Sequence, residues 1–419
     1  MSCRLVFRIS RSSLGLMLLL GLRFASGAPA SEADPGSTEI ATAKSITPTA
    51  ARGALFQPLD PKLQSAPNRR ATYAGAMAVS PNGKRLAIQT SGFPAYYDAE
   101  GKLIPEASTE YVFLFDITTR TPIQMQVLAV PHTFPGIAWS KDSRHLLVSG
   151  GQDDTVVEFV DDGAHWVTDR TIHLGHTGCL EVGLAIAALH ETYTTSPTSR
   201  DCGPVAADLA VSPDDRRLIV ANIQNDSVSL IDLATGKVIV EQDLRPGIID
   251  PRHRGESGGS FPRSVAWVST DHAYVASVRD REVISLRIGR DKIRVIQRLP
   301  VPGAPAALLA NRTGSRLYAA LDTSSQVAVI DTRRNRLIET FSVVAPTSVY
   351  DDRKLLGGAN SNALVLSPDE RTLLVSNGGQ NSVAVVRLSH QAMDPKAAAH
   401  SARQHRGADR SLRFPRVPL

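Results

Sequence analysis

The chain has 419 residues, is 42% hydrophobic and 21% charged, and carries only 5% aromatic residues, which suits an ordered globular body and excludes a disordered or collagen-like polymer. Its formal net charge is +5, yet residues 1–30 supply +4 and residues 391–419 another +4, leaving −3 on the body between them. Bulk electrostatics therefore gives no basis for phosphate-backbone binding, and nucleic acid ranks low among the expected partners.

In chain order, Arg4, Arg8 and Arg11 precede the apolar run Leu14–Leu22, and Ala25-Ser26-Gly27 or Ala28-Pro29-Ala30 offers small residues for cleavage. This is the order of a secretory signal peptide, predicted over residues 1–30, with the mature chain starting between about Ala28 and Ser31 and a periplasmic or secreted location. The run is too short to span a membrane, so no integral membrane span is expected. Residues 31–48, rich in Ser, Thr, Pro and Ala, read as a flexible leader. Ala54 to Leu59 is expected to form an outer strand or to pack on the first or last repeat.

From residue 49 to 390 the chain repeats itself. Small-apolar-Ser-Pro-Asp/Asn followed by polar residues and an alternating apolar run occurs at Ala78–Ala87, Ala210–Asn222 and Val365–Asn377, with fainter copies at Ala138, Ala266 and Leu309. Anchors at positions 80, 140, 212, 268, 311 and 367 are separated by 60, 72, 56, 43 and 56 residues. The shortest step suits one four-stranded blade, and apolar period 2 selects strands over helices. The predicted fold is an all-β propeller of four-stranded blades with six blade signatures. Ser-Pro-Asp is read as a turn that joins the first strand of a blade to the second, and not as a serine nucleophile.

Longer segments interrupt the repeats at 92–109, 175–207, 245–262 and 344–361. Because strand direction alternates, loops after second and fourth strands open on one face, and all four insertions fall there. Long loops on a rigid scaffold carry function, so this face is the expected ligand face. Its candidate residues are Arg245, Asp250, His253, Arg263, Asn360 and Asn362, with Arg254 completing a basic rim. Cys179 and Cys202 lie 23 positions apart in one insertion. In an oxidising compartment a disulfide would stabilise by about 3 kcal/mol, the alternative being two buried free thiols. His173 and His176 form His-x-x-His, but no third or fourth ligand is evident nearby, and no metal or other cofactor is expected. Trp139 and Trp267 occupy equivalent first strands and read as blade-to-blade packing. Residues 391–419, rich in Lys, Arg, His and Ala, read as a disordered basic tail in which no strands are evident, consistent with truncation or a frameshift.

The segments Asp243-Leu-Arg-Pro-Gly247 with Asp250-Pro251, Tyr111-Val-Phe-Leu-Phe115-Asp116, Pro135-Gly-Ile-Ala-Trp139, Asp280-Arg-Glu-Val283, and Gly357-Gly-Ala-Asn-Ser-Asn362 leading to Leu366-Ser-Pro-Asp-Glu370 resemble the YVTN-type, YncE-like periplasmic β-propellers. The resemblance covers about residues 46–388 and is strongest to the propeller that precedes an alkaline-phosphatase-superfamily phosphoesterase in bacterial two-part proteins. It implies a seven-bladed parent fold and a binding role. The expected function is a non-catalytic binding or protein-interaction module that takes a protein or small molecule on its long-loop face, with a phosphoesterase as an implied partner. The alternative is a lactonase-like hydrolase, which needs an acid/base pair at the channel mouth, and no paired carboxylates are seen to recur at matching blade positions. A DNA-binding propeller ranks below both.

Overall fold

The computed structural model describes residues 38–39, 45–46, 57–91, 95–176, 205–345, 358–380 and 382–388. The chain divides into two compact units, Met1–Pro58 and Leu59–Leu419. In the first, β1 (Thr38–Glu39) and β2 (Ser45–Ile46) pair as a short antiparallel ribbon.

The second unit is an all-β propeller of successive antiparallel sheets. Blade 1 holds β3 (Ala74–Val79), β4 (Arg85–Thr90), β5 (Glu110–Asp116) and β6 (Ile123–Val130); blade 2 holds β7 (Ile137–Trp139), β8 (His145–Ser149), β9 (Thr155–Asp161) and β10 (Trp166–His173). Blade 3 follows as β11 (Ala206–Val211), β12 (Arg217–Asn222), β13 (Ser227–Asp232) and β14 (Lys237–Asp243), and blade 4 as β15 (Pro262–Ser269), β16 (His272–Ser277), β17 (Glu282–Ile288) and β18 (Ile293–Pro300). Blade 5 comprises β19 (Pro305–Ala310), β20 (Arg316–Leu321), β21 (Gln326–Asp331) and β22 (Arg336–Ser342). Blade 6 has three strands among the described residues, β23 (Ser361–Leu366), β24 (Thr372–Asn377) and β25 (Ser382–Arg387). First strands of consecutive blades neighbour one another, so they are the inner strands along the propeller axis.

The middle strands read as continuous apolar runs because both of their faces are covered. In β12, Leu218 and Val220 join Leu147, Val156 and Ile172 of blade 2, while Ile219 and Ala221 join Val265, Val275 and Ile284 of blade 4. Comparable clusters weld blade 1 to 2, blade 4 to 5 and blade 5 to 6. Burial of this kind, at roughly 25 cal/mol per Å² of apolar surface, is the main stabilising term. The outer face of blade 1 is lined by Tyr111, Phe113 and Phe115, against which Leu59, Leu63 and Ala71 pack. Leu59 thus lies on the first blade, while Ala54 to Phe56 fall outside the described residues. On blade 6 the face turned away from blade 5 leaves Val365, Val383 and Val385 exposed.

The recurrent serine is a turn device. Ser212 Oγ donates to Asp214 Oδ1 at 2.6 Å and accepts from Arg217 N at 3.0 Å, and Ser80, Ser140 and Ser367 repeat both bonds. In blade 5, Asn311 Oδ1 accepts from Arg316 N at 2.9 Å in the same place. Blade 4 departs by one position: its equivalent residue is Ser269, bonded to Asp271, because β16 resumes after only two residues. The tryptophans also act alike, Trp139 Nε1 donating to Ala78 O at 3.1 Å and Trp267 Nε1 to Ala210 O at 2.9 Å, each on the preceding inner strand.

Candidate functional site at the mouth between blades 3 and 4

All four long connections follow second or fourth strands, as strand parity requires, and so share one face. On this face, in five blades, the residue just before the inner strand accepts a backbone bond from the residue that follows the second strand: Ser91 N to Tyr73 O, Ile223 N to Val205 O, Val278 N to Phe261 O, Asp322 N to Ala304 O and Gly378 N to Asn360 O. Tyr73, Val205, Phe261, Ala304 and Asn360 are therefore equivalent and form a ring around the axis. Tyr73, Phe261 and Asn360 hold left-handed backbone, with φ of 57°, 61° and 50°. For a bulky aromatic this is a strained state that persists only where surrounding bonds over-determine it.

Phe261 is over-determined by carboxylates. Three successive backbone N–H groups each meet a different acid: Gly259 N donates to Glu282 Oε1 at 2.8 Å, Ser260 N to Asp280 Oδ2 at 2.7 Å and Phe261 N to Asp226 Oδ1 at 2.8 Å. Gly259 is required here, having φ of +79° and a position where a Cβ would collide with the Leu244 carbonyl. The knot fixes the backbone at Phe261, and the Arg279 guanidinium lies over the Phe261 ring at 4.6 Å from the centroid.

Asp226 is half-buried beside this stack, and burial raises its carboxyl pKa against the opposing bond from Phe261 N and the positive charges of Arg245 and Arg279. One oxygen holds Phe261 N, and no hydrogen bond occupies the other among the described residues. Asp226 has an equivalent in Asp154: both are left-handed, and their carbonyls accept from the residue after the fourth strand, Leu244 N and Leu174 N. Single carboxylates thus share this position in blades 2 and 3, where blades 4 and 5 carry Arg281 and Ser325. Asp154 is committed to His176, bonding its backbone N at 2.9 Å and its Nδ1 at 2.8 Å. The buried ring also lies 3.0 Å, through Nε2, from Glu241 of β14. Burial would lower the His176 pKa, but its bonds to Asp154 and Glu241 outweigh this and lift it to about 9.

The expected ligand residues are dispersed. Arg245 forks onto Asp243 at 3.0 and 3.1 Å through Nε. Asp250, beyond the short helix α1 (Pro246–Ile249), accepts from Arg252 N and Nε at 3.0 Å, and His253 Nδ1 lies 2.9 Å from Glu256. Arg263, the bulge residue of β15, is half-buried near Asp208 and makes no ion pair among the described residues. These four belong to one connection and its exit. Asn360 and Asn362 stand on blade 6, two blades further round, where Asn362 Oδ1 accepts from Ser376 Oγ at 2.6 Å. Cys179 and Cys202 lie outside the described residues, as do the tail and most of the leader. Sequence reading passed over Asp226, Phe261 and Arg279, whose roles depend on backbone angle and on contacts between blades.

Asp208 is also raised, to about 6, by burial, but both oxygens are spoken for: Ser264 Oγ at 2.7 Å, Val265 N at 3.0 Å and its neighbour Leu209 N at 2.9 Å. It ties inner strands together. No group of three His, Cys, Asp or Glu side chains is arranged to hold a metal among the described residues, and no helix among them is long and apolar enough to cross a membrane.

A family model described as Lactonase, 7-bladed beta-propeller matches residues 304–405, less than half of the chain. No curated protein matches. Among solved structures, the chain is similar to a Lactobacillus plantarum protein at 14% identity and a TM-score of 0.55, covering 77% of this chain and 82% of that one. It is also similar to the periplasmic gluconolactonase of Pseudomonas aeruginosa, at 14% identity and a TM-score of 0.54 over 77% and 84% of the two chains. A Bacteroides uniformis protein assigned as a 6-phosphogluconolactonase gives 13% identity and a TM-score of 0.55 over 77% and 83%. At such identities the structural likenesses establish the propeller fold. The family match corrects the expectation of a non-catalytic binding module: the family in question is one of lactonases, which had stood as the alternative.

Proposed function

We propose that this chain is a lactonase-like hydrolase that opens a sugar lactone at the mouth between blades 3 and 4. The observation that carries this reading is the match of residues 304–405 to the lactonase propeller family. The gluconolactonases among the similar structures support the same reaction class. Resemblance to YncE-like propellers concerns the same scaffold, and function is argued from the site.

A lactone is a cyclic ester, and its hydrolysis needs a base for the attacking water and a cation for the charge that develops on the carbonyl oxygen. Asp226 is suited to the first task, with one unoccupied oxygen and a pKa that burial raises above the ordinary aspartate value. Water loses a proton to Asp226 as its oxygen bonds to the carbonyl carbon. Collapse of the tetrahedral intermediate breaks the ring C–O bond, and the proton passes to the departing ring oxygen, which becomes a hydroxyl. One water is consumed, and the acid formed ionises to a carboxylate.

The test is proton release in a pH-stat from D-glucono-1,5-lactone, corrected for its spontaneous opening. Purified protein is expected to exceed the spontaneous rate, and Asp226→Asn to lower the catalysed rate about 10²- to 10⁴-fold. Because burial raises the Asp226 pKa, the wild-type rate should climb with pH through a limb lying above that of a free aspartate and then level off. Folded wild-type protein that never exceeds the spontaneous rate would overturn the reading. Export belongs to the same proposal, supported by Arg4, Arg8 and Arg11 ahead of the Leu14–Leu22 run, and N-terminal sequencing of the protein from its producing cell is expected to start near Ala28 to Ser31.

A further inference from the structure

We propose that Arg279, whose guanidinium carbon stands 4.6 Å from the centroid of the Phe261 ring, is an anion-binding residue of this mouth and takes the carboxylate that ring opening creates. The identity of that ligand rests on the hydrolase reading, whereas the anion site stands on the geometry alone.

Arg279 is exposed on the face that carries the long connections, in the turn from β16 to β17. Among the described residues it makes no ion pair and donates no hydrogen bond. Its neighbours differ in this respect. Arg245 is neutralised by Asp243, and Arg252 by Asp250. Nearby Asp280, the next residue in the chain, is turned to Ser260 N and Ser277 Oγ at 2.7 and 3.3 Å. Asp226 and Glu282 are likewise held by backbone N–H groups of the 259–261 knot. Asp280 and Glu282 thus have partners of their own, and Asp226, which keeps one oxygen open, makes no ion pair with Arg279 among the described residues.

A free arginine on a surface samples many rotamers, and ordering it on a ligand costs entropy. Stacking on a ring whose main chain is anchored by the bonds of the 259–261 knot removes part of that cost before the ligand arrives. A guanidinium held over an aromatic face by its carbon still has N–H donors to offer, and a planar anion can accept two of them in parallel. A carboxylate has that shape and charge, and it is the group that lactone hydrolysis generates. Arg279 would first meet the oxyanion of the tetrahedral intermediate and then the product, so the product should compete with the substrate.

The experiment is isothermal titration of the full chain with sodium D-gluconate at low ionic strength, with D-glucitol as the uncharged control. Wild type is expected to bind gluconate saturably. Arg279→Ala should weaken it roughly 10- to 100-fold, the range of a charged hydrogen-bonding partner. Arg279→Lys should fall between them, since it keeps the charge and loses the fork, and Phe261→Leu should weaken binding by removing the stacking surface. Glucitol should not discriminate among the variants. Circular dichroism establishes that each variant folds, which an exposed side chain such as Arg279 should permit. Equal gluconate affinity in wild type and Arg279→Ala, or no saturable binding by wild type, would overturn the proposal. If Arg279-dependent binding is found without lactone turnover, the anion site stands and the hydrolase reading falls. If turnover is found with product inhibition indifferent to Arg279, the hydrolase stands and the anion site falls.

Discussion

His176 is a buried imidazole that joins two blades to the start of a long connection. Its Nδ1 reaches Asp154 in the second-to-third-strand turn of blade 2, and its Nε2 faces Glu241 on the outermost strand of blade 3. A pair of carboxylates around one ring favours the imidazolium, and the rise from 6.5 to about 9 corresponds to roughly 3 kcal/mol of linkage. The folded pKa lies above the unfolded one, so this stabilisation is complete below about pH 6.5 and is lost as pH climbs through about 9. His176→Gln is accordingly expected to lower Tm most near pH 6, with the gap to wild type closing above pH 9, as thermal melts across that range would reveal. A gap constant with pH would mean that the ring stabilises by shape and not by charge.

The hairpin turns and the 259–261 knot are elements whose bonds make equally definite expectations. Removing the Ser212 hydroxyl deprives the turn of two bonds, and Ser212→Ala should cost about 1 kcal/mol in chemical denaturation. Gly259→Ala should cost more than about 1 kcal/mol, because the position is left-handed and its Cβ would strike the Leu244 carbonyl. It should also loosen Phe261 and weaken gluconate binding together with stability. Much of this scale was readable in advance. Ser80, Ser140, Ser212 and Ser367 announced the turns, alternating apolar runs announced the strands, and parity placed the insertions on one face. Trp139 and Trp267 could be paired because indole reads the same at equivalent positions. Asp226 and Arg279 could not be read, since a left-handed backbone at a phenylalanine leaves no trace in composition. Carboxylates that bind N–H groups a blade away look like ordinary turn residues. Asn360 was singled out from its motif, and its place in the mouth ring is shared with Tyr73 and Phe261, which no motif marks.

Across the molecule, stability resides in the seams between neighbouring sheets. Val375 is buried in the seam of blades 5 and 6, whereas Val383 and Val385 stand 62% and 54% exposed on the other side of the same sheet. Lysine at 383 or 385 should therefore shift stability by less than about 0.5 kcal/mol, while Val375→Asp should unfold the blade by burying an unpaired charge. A matching loss at all three sites in denaturant titrations would show that a partner covers the exposed face. The welded seams also carry a mechanical meaning. Sheets that lean on their neighbours fray first where a face is uncovered, and among the described residues blade 6 has such a face. The Phe261–Arg279 pair lies by the seam of blades 3 and 4, away from it, so the chemistry of the mouth should outlive the order of blade 6.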